Sequence, residues 1–99
     1  MLTDQEINHQ IATQVNGWTH LESIYYQNGE GSICYLADYC NSLPHAMDLA
    51  FTNDIALKPT PDGWQAYKLH GDLVTSDDPL ASKAICLCLI ETTKATEVI

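Results

Sequence analysis

Arginine is absent from these 99 residues, and four Lys stand against thirteen Asp and Glu, for a formal charge of −9. Nucleic-acid recognition relies on Lys and Arg neutralising phosphates and releasing counterions, so this composition speaks against nucleic acid as a partner. With no guanidinium there is no planar fork to clamp a phosphate or carboxylate, and an anionic ligand would depend on backbone N–H groups, Lys and hydroxyls. Long apolar runs are also missing. The longest, from Ala84 to Ile90, is seven residues, against the roughly 20 that a membrane-spanning helix needs. Met1-Leu2-Thr3-Asp4-Gln5-Glu6 offers neither a basic lead nor an apolar core, so no export signal is read and a cytoplasmic location is expected. The five Gly form no phosphate-binding loop, and no Gly-x-Ser-x-Gly nucleophile motif occurs.

What is present suits one small globular domain spanning residues 1–99. Apolar residues make up 45% of the chain and charged residues 17%, a balance well away from that of disordered sequences. A domain of this size buries roughly 60–70% of the surface its unfolded chain exposes, so its stability margin is modest and homodimer formation would be a natural supplement. Cys34, Cys40, Cys86 and Cys88 are expected to be free thiols in a reducing cytosol.

Thr3-Asp4-Gln5-Glu6 has the pattern of a capping box. It predicts a helix carrying Ile7, Ile11, Ala12 and Val15 inward, with Gln5, Asn8, Gln10 and Gln14 toward water and Gly17 as its stop. Residues 18–36 lack a helical period and are rich in β-favouring side chains. The Asn28-Gly29 pair predicts an antiparallel hairpin between residues 21–27 and 32–36. Asn41 or Ser42 is expected to cap a second helix with Pro44 in its first turn and Leu43, Met47, Ala50, Phe51 and Ile55 on one face. Pro59, Pro61, Asp62 and Gly63 read as a turn between strands 55–58 and 63–70, and residues 71–78 read as loop. Asp78-Pro79 predicts a final helix over 79–93, apolar over more than one stripe and hence the most buried. The expected class is α+β: a small antiparallel sheet of about four strands sandwiched by three helices, in α-β-β-α-β-β-α order.

Three features are familiar: Gly17-Trp18 closing the first helix, Tyr39 leading into the second, and Asp78-Pro79-Leu80-Ala81-Ser82-Lys83-Ala84-Ile85-Cys86. Together they resemble the phage ABA sandwich domain family, small proteins of bacteriophages and prophages with a first helix ending in Gly-Trp and a final helix close to Pro-x-Ala-x-x-Ile-Cys. The resemblance covers nearly the whole chain. It implies helices on both faces of a sheet and expression in a bacterial host cytoplasm. Two positions depart from the pattern: Leu87 stands where an Arg usually follows the final-helix Cys, and Met47 where an aromatic is frequent. The family has no established reaction, so the resemblance implies context and no chemistry.

Four Cys and four His invite a metal site, but the spacing argues against one. Cys86 and Cys88 would project about 200° apart on a helix, and five residues separate Cys34 from Cys40, unlike a zinc knuckle. Convergence of Cys34, Cys40, His45 and His70 is the remaining route, set against the ordinary burial of Cys in cores. Pairing of a Cys with His20, His45 or His70 for nucleophilic catalysis has nothing to orient it. Asp77-Asp78 is explained by capping and the helix dipole. No cofactor, metal or catalytic residue is therefore expected. The aromatics stand out: Trp18, Tyr25, Tyr26, Tyr35, Tyr39, Trp64 and Tyr67 all carry a polar tip, which suits half-buried positions and contact surfaces. Adjacent Tyr25 and Tyr26 must face opposite ways in a strand, and a contact surface is expected near Tyr25, Tyr26 and Trp64.

These observations favour a non-enzymatic phage accessory protein that binds a host protein with a basic surface, as a counter-defence inhibitor would. Sequestration of a small nucleotide-like signal and a structural role in the virion are the alternatives.

Overall fold

The computed structural model describes residues 2–70 and 74–97. Its first helix, α1 (Asp4–Gln10), begins at the predicted capping box. The Glu6 N–H donates to Thr3 Oγ1 (3.1 Å) and the Thr3 N–H to Glu6 Oε1 (3.3 Å), so N–H groups that a helix start leaves orphaned are paired. Ile7, Ile11 and Ala12 are buried. From Ile11 to Val15 the backbone widens into a π-helical segment, with the Asn16 N–H bonding Ile11 O at 2.9 Å. Gly17, at φ +73°, ends it in the left-handed conformation that costs glycine no steric clash. Asn8, expected to face water, is buried instead. Its side chain donates to Asp38 Oδ1 (3.0 Å) and accepts from the Cys40 N–H (3.1 Å), which satisfies an amide whose burial would otherwise be costly.

Three short strands follow: β1 (Thr19–Glu22), β2 (Tyr25–Gln27) and β3 (Ile33–Tyr35). They form an antiparallel sheet in the order β1-β2-β3, called sheet 1 below. The hairpin predicted at Asn28-Gly29 is present, with Asn28 Oδ1 accepting from the Glu30 and Ser32 N–H groups at 2.9 Å each. The single strand predicted over 21–27 is instead broken by a turn in which Ser23 adopts φ +50°, so the chain doubles back once more than expected.

Helix α2 (Leu43–Asn53) has Ser42 at its N-cap position and Pro44 in its first turn, and ends at Asp54 in a left-handed conformation (φ +57°). Its buried face is Ala46, Leu49 and Ala50. The predicted face is thus corrected in part: Ala50 is buried and Met47 packs against the core, but Leu43 is exposed, Phe51 is 77% exposed and Ile55 belongs to the following strand, because small and medium residues let the helix approach its neighbour closely.

Strands β4 (Ile55–Thr60), β5 (Gly63–Lys68) and β6 (Thr75–Asp78) make a second antiparallel sheet, sheet 2, in the order β4-β5-β6. Pro59 belongs to β4 and pairs with Trp64, which is tolerated because β4 is an edge and the missing N–H falls outside the ladder. Residues 75–78, expected as loop, form β6 by pairing with β5; residues 71–73 lie outside the described region. The architecture is α+β, but with two three-stranded sheets in place of one four-stranded sheet. Each sheet gained a strand where the sequence signal was weak, at the Ser23 turn and at the polar run Thr75-Ser76-Asp77-Asp78.

Helix α3 (Ala81–Glu97) lies against sheet 2, α2 and the first helical segment, so it is the hub of the core. Ala84, Ile85, Cys86, Cys88, Leu89 and Ile90 are all buried, more than one stripe as predicted. It starts two residues later than expected, because the Asp78 carboxylate accepts from the Leu80 N–H (3.0 Å) and holds the chain in a bend first. Lys83 reaches Asp4 (3.0 Å), tying α3 to α1. Hydrogen bonds from Lys83 and then Asn41 hold the Asp4 carboxyl below the usual carboxylate range. A carboxyl lowered by folding adds stability above its unfolded value, about 3.9, and loses it as pH falls through the folded value. Asp4→Asn should therefore flatten the fall of stability below about pH 4, by a small amount for so exposed a pair, as read from urea unfolding at stepped pH.

Candidate functional site

Sheet 1 is fastened to the first helical segment by one residue above all. Alternation sends Tyr26 inward from the middle strand, where it is 1% exposed, and sends Tyr25 and Gln27 outward. The Tyr26 ring sits among His20 (4.8 Å between centroids), His9 (5.8 Å) and Trp18 (6.4 Å). Its hydroxyl lies 2.6 Å from His9 Nδ1, and burial pushes the phenol pKa up, which keeps it a neutral hydrogen-bonding group. His20 Nε2 donates to the Ser23 carbonyl (2.9 Å), since a carbonyl only accepts, and so braces the unpredicted turn.

The opposite face of sheet 1 has no covering element among the described residues. Tyr25, Ile33 and Tyr35 project from it, and the exposed Leu21 stands beside them at the register shift of β1; Tyr25 is 40% exposed, Ile33 65% and Tyr35 66%. Tyr25 and Tyr35 are cross-strand partners with centroids 5.3 Å apart, a geometry in which aromatic rings support one another. Beside them lies an open depression of about 630 Å³ lined by His20, Leu21, Glu22, Tyr25 and Ile33. The outer face of sheet 2 differs in chemistry: register places Lys58, Gln65 and Asp77 there, with Ala56, Tyr67 and Thr75. Apolar side chains concentrated on one short sheet are the kind of patch that marks a contact surface.

Charge is as uneven as polarity. The first 57 residues of the sequence carry seven Asp and Glu and neither Lys nor Arg; all four Lys lie at position 58 or later. Sheet 1 is therefore an aromatic face within a segment that has no cation of its own.

Of the three contact residues expected from sequence, Tyr25 is on this face. Tyr26 is not: it is buried and occupied by His9, a correction that follows from the alternation itself. Trp64 is 38% exposed but belongs to sheet 2, at the end of β5 on the side that carries Ala66, so it is not part of the Tyr25 surface. Leu21, Ile33 and Tyr35, exposed beside Tyr25, were not singled out from sequence, although the alternation of Ile33 and Tyr35 around Cys34 was the signal that could have placed them on one face.

The thiols and imidazoles are distributed otherwise. Cys40 and Cys86 are fully buried and share a hydrogen bond, which lowers Cys40 and, together with burial, pushes Cys86 up. Burial likewise pushes Cys88 up. Such sulfurs are out of a substrate's reach. His45 faces Ser42 Oγ (2.6 Å), and among the described residues no three His, Cys, Asp or Glu side chains gather as metal ligands would.

No family model matches the chain, and no curated protein matches it. Among solved structures, the 2.0 Å crystal structure of a phage protein from Bacillus cereus ATCC 14579 is similar, with a TM-score of 0.81 over 95% of this chain and 90% of that one. The sequence identity is 15%, so what is shared is the fold. The chain thus has the α+β fold of a small phage protein. No helix among the described residues is long and apolar enough to cross a membrane.

Proposed function

We propose that this is a non-enzymatic phage accessory protein, of the phage ABA sandwich type, that binds a host protein through the outer face of sheet 1. The observation that carries the reading is the aromatic and aliphatic patch of Tyr25, Tyr35, Leu21 and Ile33 on a segment without Lys or Arg. Aromatic anchors supply contact energy, and the surrounding negative field selects a partner whose apolar patch is rimmed by Lys or Arg. Blocking such a basic groove is how the protein would blunt a host defence. Sequestration of an anionic nucleotide is less well supported, because the depression beside Tyr25 is lined by Glu22 and by no Lys or Arg.

Affinity capture from bacterial lysate tests this with Tyr35→Glu as the control. The wild-type protein should retain a host protein at low salt and release it at high salt. The variant should bind at least about thirtyfold more weakly, as expected for loss of an interface anchor. Equal capture by both proteins, or capture by neither, would remove the basis of the reading.

A further inference from the structure

We infer that the outward edge of β3 is a strand-pairing site for an extended segment of the partner in which apolar residues alternate with Lys or Arg. The inference deepens the reading of sheet 1 given above and rests on it. The ladder geometry identifies the free groups. The Leu36 N–H donates to Ile24 O (2.8 Å) and the Asn28 N–H to Ser32 O (2.9 Å), so inward-facing backbone pairs fall at 24/36, 26/34 and 28/32. By alternation the N–H and C=O groups of Ile33 and Tyr35 point away from β2. Among the described residues no bond from outside the ladder reaches them.

The other strand edges are protected against such pairing. β1 is kinked by a register shift between His20 and Glu22, β4 carries Lys58 and Pro59, and β6 carries Asp77 and Asp78. Bulges, prolines and charges are the devices by which edges avoid adding strands. β3, Ile33-Cys34-Tyr35, has no bulge, proline or charge, and its shortness, three residues, is the protection it does have. It offers few backbone groups, so most of the affinity must come from side chains. An added strand would lay alternate side chains on the exposed Ile33 and Tyr35, extending the apolar face by one strand.

Charge argues for the intervening residues. Just past β3, Leu36, Ala37 and Asp38 line a groove of about 270 Å³ with Ile24 and Asp4. Among the described residues the Asp38 carboxylate is held by the side-chain amides of Asn8 and Asn41 and makes no ion pair, so a cation reaching it would meet an uncompensated carboxylate. A basic extended segment complements this edge, whereas a second copy of the chain would bring like charge against it.

The test uses the full chain, isotopically labelled, and an acetylated, amidated peptide of alternating Val and Lys. Binding should slow exchange of the Ile33 and Tyr35 amides at least tenfold. A peptide of the same composition with its Lys in one block, or one N-methylated at the amides that face β3, should bind at least tenfold more weakly. Shifts at Tyr25 and Leu21 without protection of the two amides would overturn strand pairing while leaving the face reading intact. No binding at saturating peptide, or β3-to-β3 dimers of the chain alone, would also overturn it. A strand-paired peptide with no host protein captured from lysate would count against the proposed function instead.

Discussion

Tyr26→Ala should lower stability by about 3–5 kcal/mol, the range for deleting a buried aromatic ring. At 4–8 °C per kcal/mol for a domain of this size, the melting temperature should fall by about 12 °C or more. The size of the effect follows from the position of the ring, which is buried between the middle strand of sheet 1 and the first helical segment and touches Trp18, His9 and His20 together. Tyr26→Phe keeps that packing and loses the bond to His9, so it should cost only about 1 kcal/mol. Thermal melts of both variants give the totals. Exchange at the Asn28 and Leu36 amides, which close the two ends of the β2-β3 hairpin, shows whether sheet 1 has come away. A Tyr26→Ala protein as stable as Tyr26→Phe would mean that the ring does not fasten the sheet.

The second large effect is expected at Gly63. A β-carbon there would lie 2.5 Å from both Asp78 O and Pro79 Cα, backbone atoms that cannot yield as a side chain could. Gly63→Ala must therefore push apart β5 and the chain leaving β6, at the point where it turns toward α3. A loss of about 2–4 kcal/mol is expected, in the range of point changes that force backbone apart. Gly29→Ala serves as the control, since no atom lies within 4 Å of its added carbon. Denaturant midpoints of the two variants measure the contrast, and equal midpoints would show that the β5-β6 junction has slack.

How much of this was legible in the sequence depended on whether the signal was local. Thr3 with Glu6, Gly17 and Pro44 each act through neighbours a few residues away and are found in their expected roles; the hairpin expected at Asn28-Gly29 is also present, but its left-handed residue is Gly31 (φ +87°) and Asn28 contributes through its side chain. The β1-β2 turn was hidden because Ser23 gives no warning of a left-handed backbone, and its support comes from His20 and the tertiary cluster around Tyr26. β6 was hidden because four polar residues become a strand only when β5 offers them a ladder. The face of α2 was legible in part: Ala50 is buried and Met47 packs against the core as expected, whereas the larger Leu43 and Phe51 are exposed and Ala46 and Leu49 complete the buried side. For the site, Tyr25 followed from strand alternation, whereas separating it from Trp64 required knowing that the sheet is two sheets.

That separation has an evolutionary consequence. Among the described residues sheet 1 and sheet 2 share no ladder, and the long central helix packs on the second of them. Selection can then rewrite the residues of one sheet's outer face, strand by strand, without disturbing the interior on which folding depends.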